Sequence, residues 1–228
     1  MSVAVAVAAA TLNALKQFSS CEIADALLKL GQRPWGGYIP DIEMWSPRYC
    51  DGDTRIVGPA FTVKMVERSN TTAPSPPEHF ADAAPENSVM VISAPKDVKG
   101  ACWGGLMSAR AKAKNVKGVV IDGRVRDLRE HRSMEYPVFA KSHSTLPQNA
   151  FVRPSELQVP ITMSTSPVVV TPGDIIVADL DGVICIPVNL VEDVVQSCTK
   201  YVAIDDKCME ALQQGYGVKE TFAKYRGT

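Results

Sequence analysis

Two short stretches carry side chains that could do chemistry together: Gly104-Gly105-Leu106-Met107, which opens a helical pattern, and Arg126-Asp127, which follows a run of apolar residues. An arginine guanidinium is a planar fork of donors that meets a carboxylate with two parallel bonds. An aspartate offers oxygen to a hard divalent cation such as Mg²⁺ or Mn²⁺. A ligand with a carboxylate beside a carbonyl would use both groups. Its carboxylate would meet Arg126, and its 2-oxo oxygen with one carboxylate oxygen would chelate a metal held by Asp127. The glycine turn leaves amides free at a helix start, where an anion is welcome. Two positions without side chains let a ligand come close to the backbone. A plainer reading stands beside this one: Asp-Gly-Arg is turn composition, and an aspartate at a helix start is favoured by the helix dipole alone.

The elements that must position these groups run from Ser88 to Ala140. Val89 to Ile92 is an apolar run, then comes a loop containing Trp103, and Leu106 to Asn115 reads as a helix. A second run, Val119 to Ile121, leads through Asp122-Gly123-Arg124 to the Arg-Asp pair. Short apolar runs punctuated by glycine are the pattern of buried strands, so this is a central βαβ unit. Ligands collect beyond the carboxyl ends of such strands. Both chemical stretches fall there and are expected to face one another.

The remaining chain supplies helices and hairpins. Thr11 to Gln17 reads as a short helix. Ser19 and Glu22 form a capping box for a helix from Cys21 to Leu30, with Ile23, Ala26, Leu27 and Leu30 on its apolar face and Gly31 as its stop. Gln32 to Asp53, with three prolines and two tryptophans, reads as an irregular connection. Arg55 to Val66 is strand-like, broken near its start by Gly58-Pro59, and Pro77 opens a short helix ending at Ala83. Leu128 to Met134 is a helix, Pro137 to Ala140 a strand, Ser144 to Glu156 a loop and Val168 to Val170 a strand. Thr171-Pro172-Gly173-Asp174 has type II turn chemistry. Ile175 to Ala178 and Val183 to Ile186 flank the hairpin signal Asp181-Gly182. Val191 to Gln214 and Val218 to Tyr225 are the closing helices. The sum is one α/β domain over 1–228, with 1–17 as an N-terminal extension and 190–228 as C-terminal helices.

Composition excludes several classes. Net charge is −1 and the pI is near 6.3, with basic residues scattered, so no nucleic-acid footprint is indicated. The six cysteines form no CxxC pair and the three histidines have no zinc-ligand spacing; reduced thiols are expected. The apolar N-terminus lacks a basic n-region and is too short to span a bilayer, so no membrane partner and a cytoplasmic location are expected. There is no dinucleotide fingerprint, Walker loop or nucleophile elbow. Lys64 and Lys141, conceivable Schiff-base lysines, read as solvated charges. Asp25 reads as part of a polar helix face, and His131 and His143 lack an evident partner, His131 being expected at the surface.

Taken together, Ser20-Cys21-Glu22-Ile23-Ala24-Asp25-Ala26-Leu27, Gly58-Pro59-Ala60-Phe61-Thr62-Val63, Trp103-Gly104-Gly105-Leu106-Met107 and Asp122-Gly123-Arg124-Val125-Arg126-Asp127 resemble the RraA-like family. So do Pro172-Gly173-Asp174 and Asp179-Leu180-Asp181-Gly182-Val183. The resemblance runs from about Phe18 to Tyr225, and the Arg-Asp motif with its upstream glycine turn is its most specific part. The segment around Trp35 to Cys50 and the run from Arg126 to His131 look like the eukaryotic, fungal-type members. The family contains 4-hydroxy-4-methyl-2-oxoglutarate aldolases, oxaloacetate decarboxylases and a regulator that binds a ribonuclease. The resemblance implies a swivelling β/β/α fold assembled as a homotrimer or dimer of trimers. It implies a divalent metal, Mg²⁺ or Mn²⁺, on Asp127, and substrate binding by Arg126 and the backbone of Gly104, Gly105, Leu106 and Met107. On this reading Arg126 and Asp127 are the catalytic residues of a lyase that forms pyruvate from a short 2-oxo acid. The alternative is a non-catalytic regulator that binds a ribonuclease or another protein; such members tend to lack the aspartate, which is present here. A phosphotransfer carrier domain is set aside, since no histidine sits on the glycine turn. One departure stands out. Bacterial aldolases usually carry an acidic residue, which orients water on the metal, where this chain has Gly105. A neighbouring subunit's Asp205, Asp206 or Glu210 is a conceivable substitute.

Overall fold

In the computed structural model, which describes residues 7–227, the apolar runs pair into one curled sheet. In chain order the elements are α1 (Ala9–Leu15), α2 (Ser20–Lys29), β1 (Tyr38–Ile39), β2 (Glu43–Ser46), β3 (Ile56–Glu67), α3 (Phe80–Ala83), β4 (Val89–Ser93), β5 (Ala101–Trp103), α4 (Gly105–Ala113), β6 (Gly118–Val125), α5 (Leu128–Ser133) and β7 (Val138–His143). There follow β8 (Val152–Leu157), β9 (Ile161–Thr162), β10 (Val169–Val170), β11 (Ile175–Ala178), β12 (Val183–Ile186), α6 (Val191–Gln213) and α7 (Val218–Tyr225). The large sheet runs β1-β12-β11-β3-β4-β6-β7-β2, with β5 added against β6 and β8 against β3; β9 and β10 form a separate pair.

The expected βαβ unit is present. β4 and β6 are parallel neighbours and β7 continues the parallel set, with α4 and α5 as crossovers. Every residue of β4 is buried, as expected of a parallel strand covered on both faces. Alternate residues feed two cores. Met90 and Ile92 join Phe80, Trp103 and Ile121 on one face, while Val89 and Val91 join Ile39, Met44 and Phe139 on the other. A third cluster, with Leu15, Leu27, Val177 and Val194, packs α1, α2 and α6 on the hairpin β11–β12. Leu15 is fully buried there, so the described part of 1–17 is packed on the body; residues 1–6 lie outside the described range.

Local signals held where they were strong. Ser19 and Glu22 make both bonds of the capping box, Gly173 has φ 90° in its turn, and β11 and β12 pair antiparallel. The structure departs from expectation where pairing is long-range. The 32–53 connection contains β1, paired to β12, and β2, paired to β7. The Trp103 loop contains β5, and the 144–156 loop contains most of β8, which lies along β3. These are edge segments whose hydrogen bonds come from partners far away in sequence, so local propensity is a weak guide to them. Gly58-Pro59 does not break β3. Pairing with β11 ends at Pro59 and pairing with β4 begins at Ala60, a handover where a missing N–H costs little. Pro77 does not open α3; the His79 ring caps it by accepting from the Ala81 N–H at 3.2 Å. Among the described residues, no helix is long and apolar enough to cross a membrane.

Candidate active site

Strand β6 ends at Val125, and the Arg126 N–H donates to the Trp103 carbonyl at 3.0 Å, joining the ends of β6 and β5. The next residue, Asp127, has φ 62° and ψ 41°. That left-handed conformation disfavours most side chains, though aspartate tolerates it better than most. It reverses the chain so that the Glu130 and His131 amides reach the Asp127 carbonyl and start α5. Asp127 is the N-cap of α5, but its side chain does not cap. The carboxylate turns instead to α4, where Oδ2 accepts the Gly105 N–H at 3.0 Å. The Arg126 Nε lies 3.2 Å from both carboxylate oxygens. The two terminal guanidinium nitrogens of Arg126 have no acceptor among the described residues, so the fork stays available.

Under this corner sits His131, fully buried, with Nε2 at 2.6 Å from the Arg126 carbonyl. The expected surface position of this residue is thus corrected: a short helix at a sheet edge turns one face inward, and His131 is on that face. A carbonyl can only accept, so Nε2 carries the proton. Nδ1 is buried with no partner, and burial pushes the His131 pKa down. The imidazole therefore acts as a neutral clamp on the backbone that carries Arg126 and Asp127.

The glycine turn is shaped by close approach. A Cβ on Gly104 would lie 2.7 Å from Asp127 Oδ2. On Gly105 it would run into the Glu130 carboxylate, only 2.6 Å from the carboxyl carbon. The sequence therefore brings Gly104-Gly105 and Arg126-Asp127 together, as the strand ends implied, and adds Glu130, which sequence reading missed. The available signal was its place three residues after Asp127, in the first turn of a helix, where both side chains can reach one side. The amides are less free than the motif suggested. Gly105 N–H is taken by Asp127 and Met107 N–H by the Gly104 carbonyl; the Leu106 N–H has no protein acceptor among the described residues. Leu106 itself is 79% exposed at the rim. Gly104, Leu106, Met107, Arg126, Asp127 and Glu130, with Ala101, Trp103 and Gln148, line an open cleft of about 430 Å³.

Among the described residues, no three His, Cys, Asp or Glu side chains converge to cage an ion. The cleft offers the Asp127 carboxylate for a cation, with the Glu130 carboxylate beside it seated against Gly105. That oxygen-only, open set suits a hard cation that keeps several waters, and does not suit a closed zinc site.

The other candidates are spoken for. Lys64 pairs with Glu156 at 2.6 Å. Lys141 pairs with buried Asp122 at 3.1 Å and donates to Ser164 Oγ at 2.8 Å, so it is partnered rather than merely solvated. Asp25 is exposed on α2, as expected. His143 packs on the Trp45 ring. Asp174 and Asp179 are buried and structural: Asp174 accepts the Thr171 and Val188 amides, and Asp179 accepts from Ser20 and Arg55. Asp205 is engaged by Arg226 at 2.7 Å within the same chain, and neither it nor Asp206 nor Glu210 lines this cleft.

Comparison with known proteins agrees with this picture. The family model described as RraA-like, Aldolase/RraA, matches residues 20–185, which span α2 to β12 and the whole cleft. The chain is 30% identical over 217 residues to the protein DlpA of Legionella pneumophila, covering 93% of this chain and 34% of that protein, so it spans about a third of that relative's length. It is 32% identical over 158 residues to a Halalkalibacterium halodurans protein provisionally named 4-hydroxy-4-methyl-2-oxoglutarate aldolase, covering 69% of this chain and 72% of the other. A crystal structure of an uncharacterized protein from Pseudomonas syringae superposes with a TM-score of 0.80 at 27% identity, covering 94% of this chain and 98% of that one. The chain belongs to the RraA-like family.

Proposed function

We propose that this protein is a divalent-metal-dependent carbon–carbon lyase of short 2-oxo acids. It would form pyruvate by retro-aldol cleavage of 4-hydroxy-4-methyl-2-oxoglutarate or by decarboxylation of oxaloacetate. The observation that carries this reading is Asp127: a left-handed aspartate at a helix start whose carboxylate leaves its own helix uncapped and stands beside an arginine at the mouth of a cleft. The provisional aldolase name of the Halalkalibacterium relative supports the same chemistry.

In this reading Asp127 would hold Mg²⁺ or Mn²⁺, and the cation, when bound, supplies Lewis-acid polarisation of the 2-oxo group. Arg126 binds the adjacent carboxylate with its free fork and offsets charge that develops on the neighbouring oxygen as the C–C bond breaks. The Gly105 N–H holds Asp127 in its orientation. Gly104 keeps the floor of the cleft low enough for the ligand to reach both groups. A role confined to binding a ribonuclease or another protein would leave the strained Asp127 and the paired glycines without a purpose.

The test is pyruvate release from each substrate, with the enzyme-free rate subtracted, in Mg²⁺ and in EDTA. Release that EDTA abolishes and Mg²⁺ restores is expected, with Asp127→Ala lowering it by about 100-fold or more. No release by the folded wild-type protein would overturn the lyase reading. Release that survives Asp127→Ala with the same metal dependence would overturn the role of Asp127.

A further inference from the structure

Retro-aldol cleavage needs a step that decarboxylation does not: the hydroxyl on the carbon beyond the breaking bond must lose its proton. Asp127 and Arg126 are committed to one another and to binding. The other carboxylate lining the cleft among the described residues is Glu130. Its carboxyl group lies directly over the Cα of Gly105, in the space a side chain there would fill. The Gly105 amide, on the same residue, holds the Asp127 carboxylate. Two carboxylates thus flank one glycine, one bonded to its N–H and the other seated on its Cα. Glu130 is on the exposed side of α5, so its position over Gly105 is not forced by burial; it is the room left by the missing side chain that admits it.

We propose that Glu130 is the catalytic base of retro-aldol cleavage at this site, and that Gly105 exists to admit its carboxylate. This inference rests on the lyase reading above. The Glu130 carboxylate takes the proton of the substrate's C4 hydroxyl. The O–H electron pair becomes the new C4 carbonyl, and the C3–C4 bond breaks. Its electrons pass to C3 and the 2-oxo group as the enolate of pyruvate. The proton then returns from Glu130 to C3. The two products are both pyruvate, and Glu130 ends as it began, so no further reagent is needed. For oxaloacetate the bond-breaking electrons come from the departing carboxylate, no hydroxyl proton is removed, and water protonates the enolate.

The test is a ratio. Glu130→Gln keeps the side chain's shape and removes its basicity. It is expected to lower retro-aldol cleavage by about 100-fold or more, the usual contribution of a general base, while oxaloacetate decarboxylation stays within roughly threefold of wild type. Gly105→Ala, compatible with its helical backbone, pushes the carboxylate off its seat and is expected to lower retro-aldol cleavage with Glu130 intact. Mn²⁺ affinity, read by water-proton relaxation, is expected to stay within roughly threefold in Glu130→Gln and to collapse in Asp127→Ala. Equal loss of both activities, retention of both, or loss of Mn²⁺ binding in Glu130→Gln would overturn the role of Glu130 and leave the lyase reading standing. Full retro-aldol activity in Gly105→Ala would do the same. Absence of both activities in the wild-type protein would overturn both proposals together.

Discussion

Replacing His131 by phenylalanine probes how the site's backbone is held. The phenyl ring is somewhat larger than imidazole, so the buried pocket stays filled, but the Nε2–H bond to the Arg126 carbonyl at 2.6 Å is lost. That carbonyl is then left without its donor beneath the site, a loss of about 1–3 kcal/mol. The same bond steadies the left-handed Asp127 next door, a conformation that itself costs on the order of 1–3 kcal/mol and persists only where its surroundings hold it. Loss of the clamp should therefore also loosen the Arg126-Asp127 pair and lower kcat by roughly 10- to 100-fold. The pH dependence gives an independent check. Burial depresses the folded-state pKa of His131, so in the window between that value and the unfolded value of about 6.5 the unfolded chain binds a proton that the folded chain refuses. Stability is complete above about pH 6.5 and declines as pH falls toward the depressed value. The slope from this one group is no steeper than about 1.4 kcal/mol per pH unit. Urea denaturation of both proteins between about pH 8 and pH 5 measures both effects, and the difference between the curves isolates His131 from the exposed His79 and His143. A variant within about 0.5 kcal/mol of wild type at neutral pH, with the same pH slope, would refute the clamp.

Three further outcomes are expected. Arg126→Lys keeps the charge and loses the fork, so KM for either 2-oxo acid should rise about tenfold with kcat less affected; an unchanged KM in steady-state assays would place the substrate carboxylate elsewhere. Asp179→Ala strands the Ser20 amide, the Ser20 hydroxyl and Arg55, which Asp179 meets at 2.9, 2.6 and 3.3 Å. A loss of about 3 kcal/mol or more is expected, seen in thermal melts as a Tm roughly 6–12 °C lower; a shift of only a degree or two would show that α2 is anchored elsewhere. Removing the divalent cation with EDTA should abolish pyruvate release without unfolding the chain, because the folded core does not depend on the cleft; circular dichroism with and without EDTA checks this.

What could be read from the sequence was whatever depends on neighbours in the chain. The capping box at Ser19 and Glu22, the type II turn at Gly173, the hairpin at Asp181-Gly182 and the bounds of α7 are all set by backbone groups within a few residues, so composition and spacing reveal them. The pairing of Gly104-Gly105 with Arg126-Asp127 was legible for a related reason: parallel neighbours in a βαβ unit must bring their carboxyl ends to one edge. The strands β1, β2, β5 and β8 were not legible, because each gains its hydrogen bonds from a partner that only the assembled sheet supplies. Tertiary structure alone decided that His131 is a buried clamp rather than a surface group. It alone turned the Asp127 carboxylate away from its own helix toward Gly105. And it placed the Glu130 carboxylate over a glycine 25 positions earlier in the chain, a contact that spacing does not encode, since it exists only once the ends of β5 and β6 are joined and α4 and α5 start side by side.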